Sequence, residues 1–517
     1  MVKVMTAADA IHSIIKDGDT VAFTGFVGSM HAEHISRTLQ DEYLATGSPK
    51  NLTIMFSAGI GNSKDIGMNH AGEEGLVSKV IAGHWGLVPR LQKLALEDKI
   101  YAYNLPQGVV SQLYRCIAAG RPGLVSQVGL KTFVDPRLEG GKLNEKTKKD
   151  GEDIVELVTI GGREMLFYKA RPINVAVIRA SFVDTNGNCS MEHEGMPIDA
   201  LALAQAAKNS GGKVIIQANK LVEYGSLDYR MVKIPGILVD AIVIAPDNEH
   251  MQTNGSFYNP AFSGEIRVPL ESVPPLPMNE RKVIARRAAM ELVPSAVVNL
   301  GVGMPEGVAT VAAEEGLEGM VLTTESGTIG GVPGGGADFG VTWNADCVVT
   351  MDAQFDFYDG GGVDVCYLGL AEADEDGNLN VSKFGPKIAG AGGFINISQN
   401  SKACIYVGTF TAGGLKVEAK DGKLTILQEG KSKKFVKKVE QVTFAADYAK
   451  EVGQKVMYIT ERAVFQLTKE GMELIEIAPG IDLQKDVLDQ MDFKPIMKDV
   501  KLMDERIFRE EKMGLKL

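Results

Sequence analysis

Short apolar runs alternate with stretches of helical period along most of the chain. Residues 6–35 read TAADAIHSIIKDGDTVAFTGFVGSMHAEHI. Thr6 is placed to cap a helix, Gly18 to stop it, and residues 21–23 to begin a buried strand. Gly25 and Gly28 then turn the chain into a second helix. The order returns at residues 279–316, NERKVIARRAAMELVPSAVVNLGVGMPEGVATVAAEEG. Here the pattern predicts a helix, a proline stop, a strand over Val297–Leu300, a glycine turn and a helix. The halves agree again at VAVIRASFVDTNGNCSM (175–191) and VDVCYLGLAEADEDGNLNV (363–381). Each reads as a strand followed by an acidic turn with Gly-Asn.

Alternating strands and helices imply mostly parallel sheets covered by helices. The expected fold class is therefore α/β: two open-sheet domains related by duplication. Residues 1–270 form the N-terminal domain and residues 278–517 the C-terminal one. Between them VPLESVPPLPMNER, with Pro269, Pro274, Pro275 and Pro277, marks a proline-rich linker at 271–277. The tail from residue 439 looks strand-rich and is expected to close the second domain. Open α/β sheets bind ligands beyond the carboxyl ends of their strands. Glu325 sits just past the apolar run 320–322.

Composition narrows the partners. A chain of 517 residues exceeds one core, and its length suggests two to four domains. Hydrophobic residues at 45% and charged residues at 23% make an ordinary globular chain. A net charge of −12 repels phosphate backbones, so nucleic acid is not an expected partner. The five cysteines are scattered with no CxxC spacing, which suggests neither a disulfide framework nor a zinc site, and no metal is expected. The N-terminus lacks a signal-peptide core, and no apolar run nears the roughly 18 residues that span a bilayer. The expectation is a reduced, cytoplasmic protein with no membrane partner.

The densest candidate chemistry is TTESGTIGGVPGGG at 323–336. Three accounts of Glu325 compete. It could be an exposed loop residue, though so many glycines lose much entropy on ordering unless a ligand or another backbone approaches closely. It could bind a ribose, since Gly301-x-Gly303-x-x-x-Gly307 follows a strand and Glu325 lies 24 residues past Gly301. Pro305 and the displaced third glycine depart from that fingerprint. Or it could be a nucleophile, with bare backbone N–H groups stabilising an oxyanion. A second cluster, IAGAGGFINI with Gly390, Gly392 and Gly393, could present them. All seven histidines lie in the first half, which excludes Ser–His chemistry confined to the second. His31 and His34 read as an ordinary surface pair, His84 as a structural histidine beside Trp85, and Cys347 and Cys366 as buried inert thiols.

Read together, AVVNLGVGMPEGVA, TTESGTIGGVP, QFDFYDGGGVDVCYLGLAEADEDGNLNV, KFGPKIAGAGGFINIS and ITERAVFQLTKEGMELIEIAPGIDLQKDVLDQMDF resemble a fused-chain family I CoA-transferase of the short-chain acyl (acetate or propionate) type. IAGHWGLVPRLQKLA, AYNLPQGVVSQLYR, GLKTFVDPR and KIPGILVDAIVIA extend the resemblance through the first half. It implies a fold of the CoA-transferase type in which an α-like and a β-like subunit are joined. It also implies that Glu325 is the nucleophile and carries CoA as a thioester in a ping-pong transfer from acyl-CoA to a free carboxylate. Many relatives follow this acid with Asn-Gly; here Ser326-Gly327 follows.

Further roles come from the same resemblance. Gly301, Val302, Gly303, Met304 and Pro305 face the pantetheine end of CoA, with Lys416 a further contact. Gly392 and Gly393, with the Gly303 N–H, supply oxyanion donors, and Gln107 reaches the substrate carboxylate. The segment 327–336 is expected to fold over Glu325 and exclude water. CoA is a co-substrate, no cofactor is permanently bound, and a homo-oligomer, tetramer or dimer, is implied. Acetate, propionate, butyrate and lactate all suit the acyl site. An acyl-CoA hydrolase on the same fold, or a non-catalytic nucleotide or sugar-phosphate-binding protein, are the alternatives.

Overall fold

A computed structural model describes residues 2–269 and 276–516. Residues 271–275 of the expected linker, including Pro274 and Pro275, lie outside the described residues. The chain divides into two compact units. The first comprises Met1–Val268, Thr324–Asp356 and Lys383–Asn396; the second comprises Pro269–Thr323, Phe357–Ser382 and Ile397–Leu517. The units thus cut across the boundary placed at 271–277. Segments that follow the linker join the first unit because their backbone is hydrogen-bonded there: Met351 N–H donates to Ile198 C=O at 3.0 Å, and Trp85 N–H to Ala389 C=O at 2.8 Å.

The first unit is built on parallel strands in the order Lys3–Met5, Ala241–Ile244, Lys213–Val222, Val175–Asp184, Thr20–Phe23, Leu52–Phe56, Val77–Ala82 and Tyr101–Asn104. Central strands such as Val175–Asp184 are buried almost throughout, as a sheet covered on both faces requires. Helices Glu33–Thr46, Gln107–Ala118 and Ala200–Asn209 connect or follow these strands. Thr6 caps helix Ala7–Ile14 through its side chain, which accepts from Asp9 N–H at 3.1 Å. That helix ends at Ile15, three residues before the expected stop; Gly18 instead takes a left-handed turn (φ 81°) into the first buried strand.

The second unit has parallel strands in the order Val321–Thr323, Val297–Leu300, Val365–Gly369, Ala403–Val407 and Lys455–Ile459. Ala463–Thr468 and Gly471–Ile477 extend it antiparallel, so the strand-rich tail forms one edge. Among the described residues, five strands repeat one order and direction in both units. Leu52–Phe56, Thr20–Phe23, Val175–Asp184, Lys213–Val222 and Ala241–Ile244 correspond to the five just named.

The turns repeat too. Asp184 Oδ1 accepts from the N–H groups of Asn186 and Asn188, at 2.9 and 3.0 Å. Asp374 Oδ1 accepts from those of Asp376 and Asn378, at 3.2 and 2.9 Å. Gly187 and Gly377 both take positive φ (89° and 95°) in these turns, where glycine carries no Cβ penalty.

Several side chains lie elsewhere than expected. His31 is buried, its Nε2 2.8 Å from Ser36 Oγ, because the turn after Thr20–Phe23 folds it beneath helix Glu33–Thr46. His34 is half-buried with Nδ1 on Glu249, so the two are not a surface pair. Cys366 is buried as expected, beside Cys404 in the adjacent strand, whereas Cys347 is exposed on the short strand Cys347–Val348.

Candidate active site

Glu325 stands two residues beyond strand Val321–Thr323. A tight turn presents it: Thr324 N–H donates to Thr328 C=O at 3.0 Å, and Gly327 N–H to Thr324 C=O at 3.1 Å. Ser326 is buried and donates from Oγ to Gly340 C=O at 2.6 Å, while Thr324 Oγ1 lies 2.7 Å from Ser326 Oγ. These bonds hold the backbone on either side of the acid and leave its own side chain out of the network. Glu325 is half-buried, and loss of hydration pushes its carboxyl up to about 7, opposed by its own backbone N–H. A carboxyl whose pKa is shifted toward neutrality by loss of hydration is a recurrent mark of a functional site.

The glycines after Glu325 answer to close backbone approaches. Gly327 has φ 114°, and a Cβ there would lie 2.2 Å from Val349 C=O. At Gly330 it would meet the Asp346 carboxyl at 2.1 Å, at Gly331 Trp343 C=O at 2.2 Å, and at Gly334 Asp338 C=O at 2.5 Å. The segment pairs back as Thr328–Ile329 with Cys347–Val348 and as Val332–Pro333 with Thr342–Trp343. Residues 327–336 therefore fold onto residues 338–349 in short ladders, with Gly335 and Gly336 exposed. Backbone packing within this segment accounts for these glycines.

Gln107 and Gly392 are brought together. Gln107 opens helix Gln107–Ala118 directly after Pro106 and is buried. Its N–H donates to Gly392 C=O at 2.9 Å, and its Nε2 donates to Met351 Sδ at 3.4 Å. Gly392 has φ 56°, and a Cβ there would sit 3.5 Å from His84 Cδ2 and 3.8 Å from Gln107 Oε1. Its own N–H donates to Gly83 C=O at 2.7 Å, and Ala391 N–H donates to Asn104 Oδ1 at 2.8 Å. The Gly392 amide is thus committed and is not a free oxyanion donor, contrary to expectation. The Gly393 N–H has no partner among the described residues.

His84 and Met351 were not singled out from sequence as site residues. His84 is half-buried, with its ring packed among Gly59, Gly86 and Gly392. Burial, with Lys387 adding to it, pushes its imidazole down to about 4, so it is neutral at pH 7. The flanking glycines of AGHWG were a signal that another group packs against this backbone. Nothing in the spacing marked Met351, whose contact with Gln107 joins residues 244 positions apart.

Gly301, Val302, Gly303, Met304 and Pro305 belong to the second unit and follow its strand Val297–Leu300. Gly301 N–H donates to Tyr367 C=O at 2.8 Å, and Val302 is exposed. Gly303 (φ 87°) donates its N–H to Glu306 Oε1 at 3.0 Å, so this amide is also occupied, against expectation. Lys416, in the same unit, is exposed and starts the hairpin of Lys416–Lys420 with Lys423–Gln428. Among the described residues no cluster of His, Cys, Asp and Glu is arranged to hold a metal, and no helix is long and apolar enough to cross a membrane.

Comparison with known proteins places this geometry. Residues 4–245 match the family model described as coenzyme A transferase. The chain is 48% identical to caffeate CoA-transferase of Acetobacterium woodii, covering 100% of this chain and 99% of that one. It is 46% identical to acetate CoA-transferase YdiF of Escherichia coli (strain K12), covering 100% and 97%. The crystal structure of the YdiF acyl-CoA transferase apoenzyme from Escherichia coli O157:H7 superposes with a TM-score of 0.94 at 46% identity, over 100% of this chain and 98% of that one. A structure of the same enzyme described as a thioester complex with CoA matches equally, at a TM-score of 0.94. An α/β fold of duplicated open sheets and full-length similarity of this order have one meaning: the chain belongs to the coenzyme A transferase family and is a CoA-transferase.

Proposed function

We propose that the enzyme transfers CoA between a short-chain acyl-CoA and a free carboxylate in a ping-pong reaction, with Glu325 as nucleophile. The observation that carries this reading is the carboxyl of Glu325, raised to about 7 at the end of a strand, on a turn whose side-chain hydrogen bonds run through Thr324 and Ser326 and not through it. The YdiF relative described as a thioester with CoA supports it.

In this mechanism the Glu325 carboxylate attacks the acyl-CoA carbonyl, and the C–S bond breaks to release CoA thiolate. Thiols ionise near pKa 8.5, which makes CoA an acceptable leaving group. The thiolate then attacks the glutamyl carbonyl of the mixed anhydride, forming a glutamyl-CoA thioester and freeing the first carboxylate. The incoming carboxylate reverses these steps and leaves as the new acyl-CoA. One thioester replaces another of similar energy, so the reaction calls for no metal and no permanently bound cofactor.

With Gly392 committed, the Gly393 N–H is the oxyanion donor of this reading; loss of one such donor typically costs about 2.7–4 kcal/mol. Gln107 offers its side-chain amide to the substrate carboxylate. Gly301, Val302, Gly303, Met304 and Pro305 contact the pantetheine arm of CoA through backbone and side chains, and Lys416 is a further CoA contact. The functional form is a homo-oligomer, dimer or tetramer, acting in the cytoplasm.

Acyl choice has two precedents of nearly equal similarity, one named for acetate and one for caffeate. The short-chain reading is the one we favour, with propionate and butyrate as neighbouring substrates.

The test is incubation with acetyl-CoA and no acceptor acid, followed by peptide mass spectrometry, with Glu325→Ala alongside. A CoA thioester on the peptide bearing Glu325, absent in the variant and discharged by propionate, is expected. Steady release of CoA with no adduct would instead identify an acyl-CoA hydrolase. Absence of both adduct and turnover would leave a nucleotide or sugar-phosphate-binding protein.

A further inference from the structure

Three departures from ordinary local structure meet at residues 198–199. Ile198 is a β-branched residue at φ 51°, a conformation such side chains avoid. Asp199 occupies the N-cap of helix Ala200–Asn209, yet its side chain makes no capping hydrogen bond, although aspartate is among the best N-caps. Its carboxyl is instead turned into the interior, where Oδ2 accepts from Ser57 Oγ at 2.6 Å and Oδ1 has no partner among the described residues. Burial pushes this carboxyl up to about 7 against the Ser57 hydrogen bond. Local strain that persists in this way clusters at functional sites.

The strain leads to Gln107 by two routes. Through the backbone, Ile198 C=O accepts from Met351 N–H at 3.0 Å, and Met351 Sδ in turn accepts from Gln107 Nε2 at 3.4 Å. Through the side chain, Asp199 holds Ser57, whose carbonyl is packed so closely on Gly83 that a Cβ there would lie 1.7 Å away. Gly83 in turn lies against the Cα of Gln107, 3.1 Å from that same Cβ position, and its carbonyl accepts from Gly392 N–H at 2.7 Å. Ser111 and Tyr114, four and seven residues along from Gln107 on one helix face, border the Asp199 carboxyl from the other side.

We propose that Asp199 is a positioning residue for the acceptor carboxylate: with Ser57 it fixes both the side-chain amide and the backbone of Gln107 in the orientation that meets the substrate. The inference rests on the reading that Gln107 contacts that carboxylate. Asp199 itself touches no reacting atom. Its work is done before substrate arrives, as expected where a displacement of about 1 Å at a distance costs up to about a hundredfold in rate.

The experiment is a double-mutant cycle on the full-length enzyme with propionyl-CoA as donor and acetate as acceptor, using Asp199→Ala, Gln107→Ala and the pair. Asp199→Ala is expected to raise the KM for acetate about tenfold with kcat within about threefold, and to add nothing in the Gln107→Ala background. Asp199→Asn, which still accepts from Ser57, should stay within about twofold of the native KM. Full additivity of Asp199→Ala on Gln107→Ala, or a fall in kcat with KM unmoved, would overturn the positioning role. Gln107→Ala by itself leaving the KM for acetate unchanged would overturn the reading of Gln107, and the inference with it. If Asp199→Ala does not fold, Ser57→Ala enters the same cycle and is judged by the same outcomes.

Discussion

The N–H of Gln107 donates to the carbonyl of Gly392 at 2.9 Å, while the N–H of Gly392 is held by Gly83 C=O at 2.7 Å. A glycine pair that looked from sequence like two free amides is half structural: Gly392 ties the loop to the opening of helix Gln107–Ala118, and only its neighbour's N–H is left over. The conformation that makes both bonds, φ 56°, is one that glycine reaches at little cost.

Gly392→Ala should therefore act on geometry before stability. The added methyl meets His84 Cδ2 at 3.5 Å, ordinary contact, but at a left-handed φ, a conformation costing of order 1 kcal/mol for alanine. A modest fall in the thermal midpoint is expected together with a fall in kcat of at least about tenfold. Steady-state kinetics beside a melting curve separates the two; unchanged kcat would count against a site role for this loop.

A pH dependence follows from the proposed role of Glu325. In that mechanism only the ionised carboxyl attacks, and its folded value lies near 7, so single-turnover adduct formation from acetyl-CoA should rise with pH and reach half its plateau near 7. A midpoint close to the ordinary carboxyl value of about 4.3 would contradict the desolvated environment. The stability consequence has the opposite sense. Because the folded value is raised, the contribution is complete below the unfolded value and is lost as pH rises through about 7. Glu325→Gln should flatten that part of the stability profile in urea titrations between pH 4 and 8.

Gly327→Val offers a test of the turn. Its side chain would have to enter space occupied by Val349 C=O, 2.2 Å from the Cβ position, at φ 114°. A loss of about 2–3 kcal/mol in unfolding free energy is expected, in keeping with the cost of a forbidden backbone conformation. Gly335→Ala, at an exposed position of the same run, should change stability by no more than about 0.5 kcal/mol.

The thiols give a labelling prediction. Four cysteines are buried, and burial raises the pKa of Cys116, Cys189 and Cys404. Cys347 is exposed. Native protein should take up one equivalent of a maleimide, and Cys347→Ser none; uptake of two or more by the native state would show that the sheet interior opens.

Much of the fold could be read from periodicity, because both sheets are mostly parallel and their central strands are short runs of buried residues. Residues 297–300 were recovered as a strand to the residue, and Thr6 as a cap. The paired Gly-Asn turns showed the repeat for a physical reason: an aspartate that binds two backbone N–H groups and a glycine at positive φ leave the same signature twice. Glu325 was legible for its place past a strand and its glycine-rich surroundings. The glycines themselves were harder to interpret, since a backbone 2.2 Å away and a ligand leave the same mark in sequence. What sequence could not supply was occupancy. Whether the amides of Gly303 and Gly392 were free depended on Glu306 and Gly83, and the place of Met351 beside Gln107 depended on a contact between residues 244 positions apart.

The first unit draws Thr324–Asp356 and Lys383–Asn396 from beyond the linker. A gene split within 271–277 would therefore encode two polypeptides, neither of which contains all of that unit. The first would carry Gln107, His84 and Asp199 without Met351 or Gly392; the second would carry Glu325, Met351 and Gly392 without Gln107. Each product would be an orphan until it met the other, so the two would have to be made in equal amounts and fold together. Joining them in one polypeptide sets that stoichiometry at one to one by translation.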